Sequence, residues 1–277
     1  MTACRACAVT LIAMNYAGLE RHLQALRGHS GVLICDADET LGYAHEPDAL
    51  FPAASVIKVP LVMALHAEAA RGALDLGERV PLGERVAGTG VLTHLADMPE
   101  VSLRDHATLS IIVSDNTATN RVIDRVGLDV VNAYLEQWDC PRSRLRRRMF
   151  DLDARARGLE NEMTPRESAH LLGMLLRGEL IDRATSDTVL EILHATAYDG
   201  HARRYLPNGV WSANKTGRLE KVRNDIGVVR VDQSVVFAAF TCDLATEAEG
   251  EAALGLAGWF AYRAAGGEGP ELPAFIA

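Results

Sequence analysis

Ser55 and Lys58 stand three residues apart in FPAASVIKVP, at the head of an almost wholly apolar segment. On a helix, residues three apart share a face. A serine hydroxyl is a weak nucleophile until a base takes its proton. A lysine is charged in water, but burial among Val56, Ile57, Val59, Leu61 and Val62 favours the neutral amine and lowers its pKa. The opening turn of a helix also offers free backbone N–H groups that stabilise a developing oxyanion. Taken alone, the spacing fits a capped helix with a snorkelling lysine better than a catalytic pair. Pro60, so close to the helix start, predicts a local bend.

Lysine usage shifts that balance. The chain has 28 Lys and Arg residues, of which only Lys58, Lys215 and Lys221 are lysines. Arginine cannot deprotonate and so cannot act as a base. Lys215 lies in NKTG, residues 214–217, ahead of a turn and a strand. Between the two lysines, VSDN places Ser114, Asp115 and Asn116 at a break between helices. The order is therefore S-x-x-K, then S-D-N, then K-T-G. Each is weak alone, and together they form the signature of one group of acyl-transferring serine enzymes.

With these motifs the sequence resembles the class A β-lactamase-like serine hydrolases, in the β-lactamase and penicillin-binding-protein superfamily. FPAASVIKVPLVMAL, GTGVL, VSDNTATN, TPRESAHLLGMLLRGEL and NKTGRLEKVRNDIGVV all look like family segments, and the likeness covers most of residues 15–265. The resemblance implies a two-lobed transpeptidase-like fold. It implies Ser55 as the acylated nucleophile and Lys58 as the base or part of the proton relay. Ser114 would pass a proton to the leaving nitrogen, and Asn116 would hold Lys58 and the substrate amide. Asp115 would tie down its loop. Lys215 would support Ser114 and attract a substrate carboxylate, with Thr216 hydrogen-bonding it beside Gly217. The backbone N–H groups of Ser55 and Arg218 would form the oxyanion hole. Relatives usually carry a small residue at the second position, so Arg218 is a departure that narrows or recharges the cleft.

A larger departure lies between Cys140 and Pro165. Class A enzymes carry a loop glutamate followed closely by Leu-Asn, which activates the water that clears the acyl-enzyme. Here no E-x-x-L-N occurs, and counting back from Thr164 puts Arg146, Arg147 and Arg148 at that position. Asp151, Asp153, Glu160 and Glu162 are the available carboxylates. Each is read first as a partner for the surrounding arginines and second as a displaced deacylation base. The basic run Arg142–Arg148 is read as a solvated or paired surface patch in preference to a lure for an anionic substrate.

The elements that must position these residues follow from pattern. Residues 15–27 read as a helix, and GVLICDADETLGYAHEP as two strands around a turn at Asp36–Thr40. Residues 54–72, apolar on nearly every face, mark a buried helix. Helices follow in SLRDHATLSIIVSDN, with Ser102 and Asp105 in a capping pattern, and in TATNRVIDRVG, stopped by Gly127. Thr164, Pro165 and Glu167 open another, with Glu167 completing a capping box. DIGVVRVD and SVVFAAFTCDL read as late strands, and a helix over 247–265 closes the chain. The fold class is α+β, an antiparallel sheet flanked by the terminal helices beside an all-helical lobe. The expected division is 15–50 with 205–277 as the α/β lobe, 51–204 as the helical lobe, and 1–14 as a disordered extension.

Composition narrows the partners. With 277 residues the chain can bury a sizeable core, and its formal net charge of −9 argues against nucleic acid. No apolar run reaches the ~20 residues of a membrane span. Five cysteines at irregular spacing imply no disulfide framework, and Cys4-x-x-Cys7 is read as loose thiols in preference to a metal site. No metal or other cofactor is expected, and the nine histidines show no ligand spacing. No convincing signal peptide precedes Met14, so the sequence points to the cytoplasm, while the family resemblance points to export. The oligomeric state is open. The expected partner is a small β-lactam or peptide-like substrate. Three functions remain: a β-lactamase-like hydrolase, a penicillin-binding-protein-like peptidase or acyltransferase acting on D-Ala-D-Ala-type peptides, and a slow acyl-trap or binding protein.

Overall fold

The computed structural model describes residue 11, residues 14–198 and residues 200–269. In chain order the elements are α1 (Ala17–Ala25), β1 (His29–Asp36), β2 (Leu41–His45), β3 (Phe51–Pro52), a 3-10 turn (Ala54–Ile57) and α2 (Lys58–Ala70). Then come β4 (Arg79–Pro81), β5 (Glu100–Ser102), α3 (Leu103–Ile112), α4 (Asn116–Val126), α5 (Leu128–Gln137) and α6 (Leu152–Ala156). The chain continues through β6 (Glu162–Met163), α7 (Pro165–Arg177), α8 (Arg183–His194) and a 3-10 turn (His201–Tyr205) that follows those at Ala54–Ile57 and Leu92–His94. It ends with β7 (Trp211–Leu219), β8 (Val222–Arg230), β9 (Ser234–Cys242) and α9 (Glu247–Ala264).

Both ends of the chain meet in one antiparallel sheet of order β2-β1-β9-β8-β7. The continuous apolar run of β9 reflects a sheet covered on both faces. Val236, Ala238 and Phe240 face the core shared with α2, α7 and the other helices, while Val235, Phe237 and Ala239 face α1 and α9. Leu33 and Cys35 of β1 join the first core and Val32 and Ile34 the second, as a period of two requires. Leu11 is fully buried in the second core and Met14 packs against it, so these two positions of the expected extension belong to the fold. The other residues of 1–14, including Cys4 and Cys7, lie outside the described residues. Among the described residues, Cys35, Cys140 and Cys242 are free thiols, and no helix is long and apolar enough to cross a membrane.

NKTG lies ahead of a turn and a strand, as read, and is itself part of β7, a late strand on the sheet edge that the pattern did not mark. Two local expectations are corrected. Pro60 does not break α2, which runs uninterrupted over Lys58–Ala70, because it sits in the first turn, where backbone N–H groups have no intrahelical partner. The irregularity is instead the 3-10 turn ahead of it. Thr164 Oγ1 does accept from the Glu167 N–H at 3.1 Å, yet the Glu167 carboxylate turns away to the backbone N–H groups of Arg142 (2.9 Å) and Ser143 (2.7 Å). The cap of α7 thereby anchors the segment that lacks the family glutamate.

Helix α9 reaches the 3-10 turn at His201–Tyr205 through glycines. A Cβ added at Gly258 would lie 2.0 Å from the Ala202 carbonyl oxygen, and one at Gly255 would lie 2.6 Å from the Tyr205 ring. Replacing glycine by alanine in an open helix stabilises it by about 1 kcal/mol. Here the contact is with backbone, so Gly258→Ala is expected to destabilise by about 1–3 kcal/mol. A urea titration checks this, and a raised midpoint would refute the packing.

Candidate active site

The 3-10 turn decides how Ser55 meets Lys58. In 3-10 geometry side chains at i and i+3 eclipse, and the Lys58 N–H bonds back to the Ser55 carbonyl. Ala54, just before the serine, has φ +49°. Such a left-handed turn at a non-glycine costs about 1–3 kcal/mol and persists where surrounding structure holds it. Ser114 is held likewise at φ +52°. The half-buried Ser55 lines a cavity of about 400 Å³, and its Oγ makes no hydrogen bond to another described residue.

Behind the cavity wall lie two fully buried lysines, Lys58 and Lys215. Lys58 Nζ donates to Asn116 Oδ1 (2.9 Å), to the Ser114 carbonyl (2.9 Å) and to Ser114 Oγ (3.1 Å). Lys215 Nζ donates to the same Oγ at 3.1 Å and to the Thr216 carbonyl at 2.9 Å. Ser114 Oγ thus bridges two lysine nitrogens. Burial, reinforced by the charge of Lys215, drives Lys58 well below the ordinary lysine pKa. Burial brings Lys215 down to about 7, with Asp225 opposing and Arg218 adding to the shift. Asp225 in β8, fully buried beside Asn214, is pushed up to about 7 by desolvation against its hydrogen bonds.

The S-D-N segment is fixed by its aspartate. Asp115 Oδ2 accepts from the N–H groups of Val91 (2.7 Å) and Leu92 (2.8 Å), and Oδ1 from Ala118 N–H (2.9 Å). A Cβ at Gly90, whose φ is +118°, would lie 2.2 Å from that carboxylate, so only glycine fits there. The GTGVL stretch is thereby strapped to the start of α4. Thr89 Oγ1 donates to the Ser114 carbonyl at 2.6 Å.

The structure gathers Ser55, Ser114, Asn116, Thr216 and Arg218 around the cavity. Gly217 does not line it. A Cβ there would lie 2.9 Å from the Ala53 carbonyl, so Gly217 lets β7 approach the turn that carries Ser55. The proposed deacylation carboxylates do not line the cavity either. Asp151 caps α6 by accepting from Ala154 N–H, and Asp153 is exposed on that helix. Glu160 pairs with Arg147 at 2.5 Å and Arg155 at 3.5 Å, and Glu162 pairs with Arg146. The arginine run is therefore largely paired, as its plainer reading held. Arg147 itself is buried against the cavity, with Asn161 Oδ1 accepting from its backbone N–H at 3.0 Å.

Thr89, in the GTGVL stretch, and Glu220 also line the cavity, as do Met149, Phe150 and Tyr198, which sequence reasoning missed. Phe150 has φ +60° and lies where a Cβ at Gly88 would collide with its ring at 2.5 Å. Its position next to the arginine run was the one available signal.

The buried lysines have a direct readout, because the chain has only three. Lysine-selective NMR is expected to show two amines titrating far below 10.5, Lys215 near 7. Two buried lysines titrating at 10 or above would overturn the assignment. The signs for stability oppose one another. Between about 7 and 10.5 the unfolded chain keeps a proton that folded Lys215 has lost, so stability rises with pH. Between 3.8 and about 7 the folded chain keeps a proton on Asp225 that the unfolded chain has lost, so stability falls as pH rises.

The sequence profile of the beta-lactamase enzyme family matches residues 17–265. Beta-lactamase L2 of Stenotrophomonas maltophilia is 29% identical over 222 residues, covering 78% of this chain and 72% of that one. A beta-lactamase of Rhodobacter capsulatus is 25% identical over 237 residues, 82% of this chain and 79% of its own. Among solved structures, the beta-lactamase of Sphaerobacter thermophilus superposes with a TM-score of 0.84 at 32% identity, covering 92% of this chain and 98% of that one. PBP-A superposes with a TM-score of 0.80 at 25% identity, covering 90% and 95%. The α+β fold, the antiparallel sheet and these relatives agree, and the chain belongs to the beta-lactamase enzyme family as a class A β-lactamase-like serine hydrolase.

Proposed function

We propose that this enzyme is acylated at Ser55 by a β-lactam or a similar amide or ester, and that release of the acyl group is the slow step. The observation that carries the acylation half is the bridge Lys58–Ser114–Lys215 directly behind Ser55. Ser55 Oγ attacks the carbonyl carbon and its proton passes to the neutral amine of Lys58. The C–N bond breaks as Ser114 Oγ–H protonates the leaving nitrogen, and Lys58 returns a proton to Ser114. Lys215 keeps the Ser114 oxygen oriented. The Ser55 and Arg218 backbone N–H groups serve the developing oxyanion.

Release needs water and a base. No carboxylate from 140–164 lines the cavity, and Arg147 occupies the wall there in a pair with Glu160. Lys58, neutral again after acylation, is placed to take the proton from water, and Glu220 is the carboxylate among the described residues that lines the cavity. The same observation supports a second reading as a penicillin-binding-protein-like peptidase or acyltransferase, in which an amine instead of water accepts the acyl group.

Stopped-flow mixing with a chromogenic β-lactam is expected to give a burst equal to the enzyme concentration, then a slower steady rate. Intact mass is expected to show one adduct, absent in Ser55→Ala. An adduct that persists in Ser55→Ala would refute the nucleophile. A steady rate with no burst at any substrate concentration would refute slow release, and acceleration by added D-amino acid would favour the peptidase reading.

A further inference from the structure

Away from Ser55, a cavity of about 480 Å³ opens beside the C-terminal half of α2. It shares no lining residue with the cavity at Ser55. His66 on its wall lies eight residues beyond Lys58, about 12 Å along the helix axis. Leu74 and Leu76, half-buried and packed against the main core, give the wall an apolar part.

Three polar side chains on this wall have bonding capacity to spare. His66 is 4% exposed, and its Nε2 has no hydrogen-bond partner among the described residues. Burial, with the charge of Arg104 adding to it, lowers its pKa to about 4, so the imidazole is neutral at neutral pH. A buried ring nitrogen without a partner is costly, and a neutral imidazole offers one donor and one acceptor. The Arg104 guanidinium has no acceptor and no ion pair among the described residues. Asp75 makes no ion pair with a described residue either, and its Oδ1 accepts only the Gly77 N–H, at 2.8 Å. Two opposite charges therefore share one cavity without pairing with each other.

The first turns of α3 and α8 carry Arg104 and Thr185 into the wall. Their cap N–H groups are already taken, Asp105 by Ser102 Oγ at 3.1 Å and Thr185 by Asp182 Oδ1 at 2.7 Å. Recognition therefore falls to side chains and not to helix ends. A guanidinium, a carboxylate and an apolar surface in one cavity complement a ligand that carries a carboxylate, an ammonium and an apolar group. A ligand of single charge would leave one of the two wall charges unmatched.

We propose that this cavity binds a zwitterionic amino acid with an apolar side chain, its carboxylate on Arg104, its ammonium on Asp75 and the His66 imidazole as a third hydrogen-bond partner. The site is independent of acylation at Ser55.

Phenylalanine, titrated into the full chain while backbone NMR signals of Ala69, Arg104 and Thr185 are followed, is the test. These signals are expected to shift with a Kd of roughly 1 mM, the range for a ligand of this size. Hydrocinnamate lacks the ammonium and phenethylamine lacks the carboxylate, and each should bind roughly tenfold more weakly. Arg104→Gln should abolish the advantage of phenylalanine over phenethylamine and keep that over hydrocinnamate. Asp75→Asn, which retains an acceptor for Gly77, should do the reverse. Both positions are exposed, so neither change threatens the fold. Either fragment binding as tightly as phenylalanine overturns the proposal, as does the absence of a shift at these signals. Ratios unchanged in both variants overturn the assigned contacts. The titration should be the same in Ser55→Ala, and loss of phenylalanine binding there would place the ligand in the Ser55 cavity and refute a separate site.

Discussion

Two primary amines buried around one hydroxyl are the constraint on which the site depends. A lysine ammonium taken out of water must find acceptors or lose its proton, and here it does both. Asn116, the Ser114 carbonyl, Ser114 Oγ and the Thr216 carbonyl supply the acceptors. They come from two places, the break between α3 and α4 and the edge strand β7, so the lysines serve as joints between α2, that break and the sheet. The left-handed residues Ala54 and Ser114 sit at these joints, where neighbouring bonds over-determine their backbone.

Around that centre, the supporting parts act at one remove. Asp115 secures Val91 and Leu92, Glu167 secures Arg142 and Ser143, and Asn161 secures Arg146 and Arg147. In each case one side-chain carboxylate or amide accepts two backbone N–H groups of a segment outside the strands and α-helices. Loops so tied can form a cavity wall without helices or strands of their own. The segment that lacks the family glutamate is therefore well held, and its acids serve to hold it.

Much of this was legible in the sequence. Apolar runs in β8 and β9 and the Thr164-Pro165 opening of α7 follow from period and capping chemistry, and the three motifs located the centre of the site. β7 was not legible as a strand, because Asn214, Lys215, Gly217 and Arg218 are poor strand formers that gain their conformation from pairing with β8. Helices α5 and α8 also went unread. The rest of the wall escaped for a different reason. Tyr198, Met149 and Phe150 come from loops, where no period marks the inward side. His201, whose Nε2 accepts from Arg218 Nε–H at 3.2 Å, carries no spacing to it that local chemistry would recognise, and only the folded chain brings them together. The Glu167 carboxylate was misread because a capping box is a local pattern, and a distant backbone competed for the same oxygens.

The glycines of α9 give the enzyme a division of labour along its length. Bond-making chemistry is built from residues 55–58 and 114–116, whereas the turn at 201–205 leans on the closing helix of the chain. Side chains added to that helix would displace the turn while leaving the nucleophile untouched. A change behind the cavity wall can therefore begin in buried positions of the closing helix, far along the chain from the nucleophile.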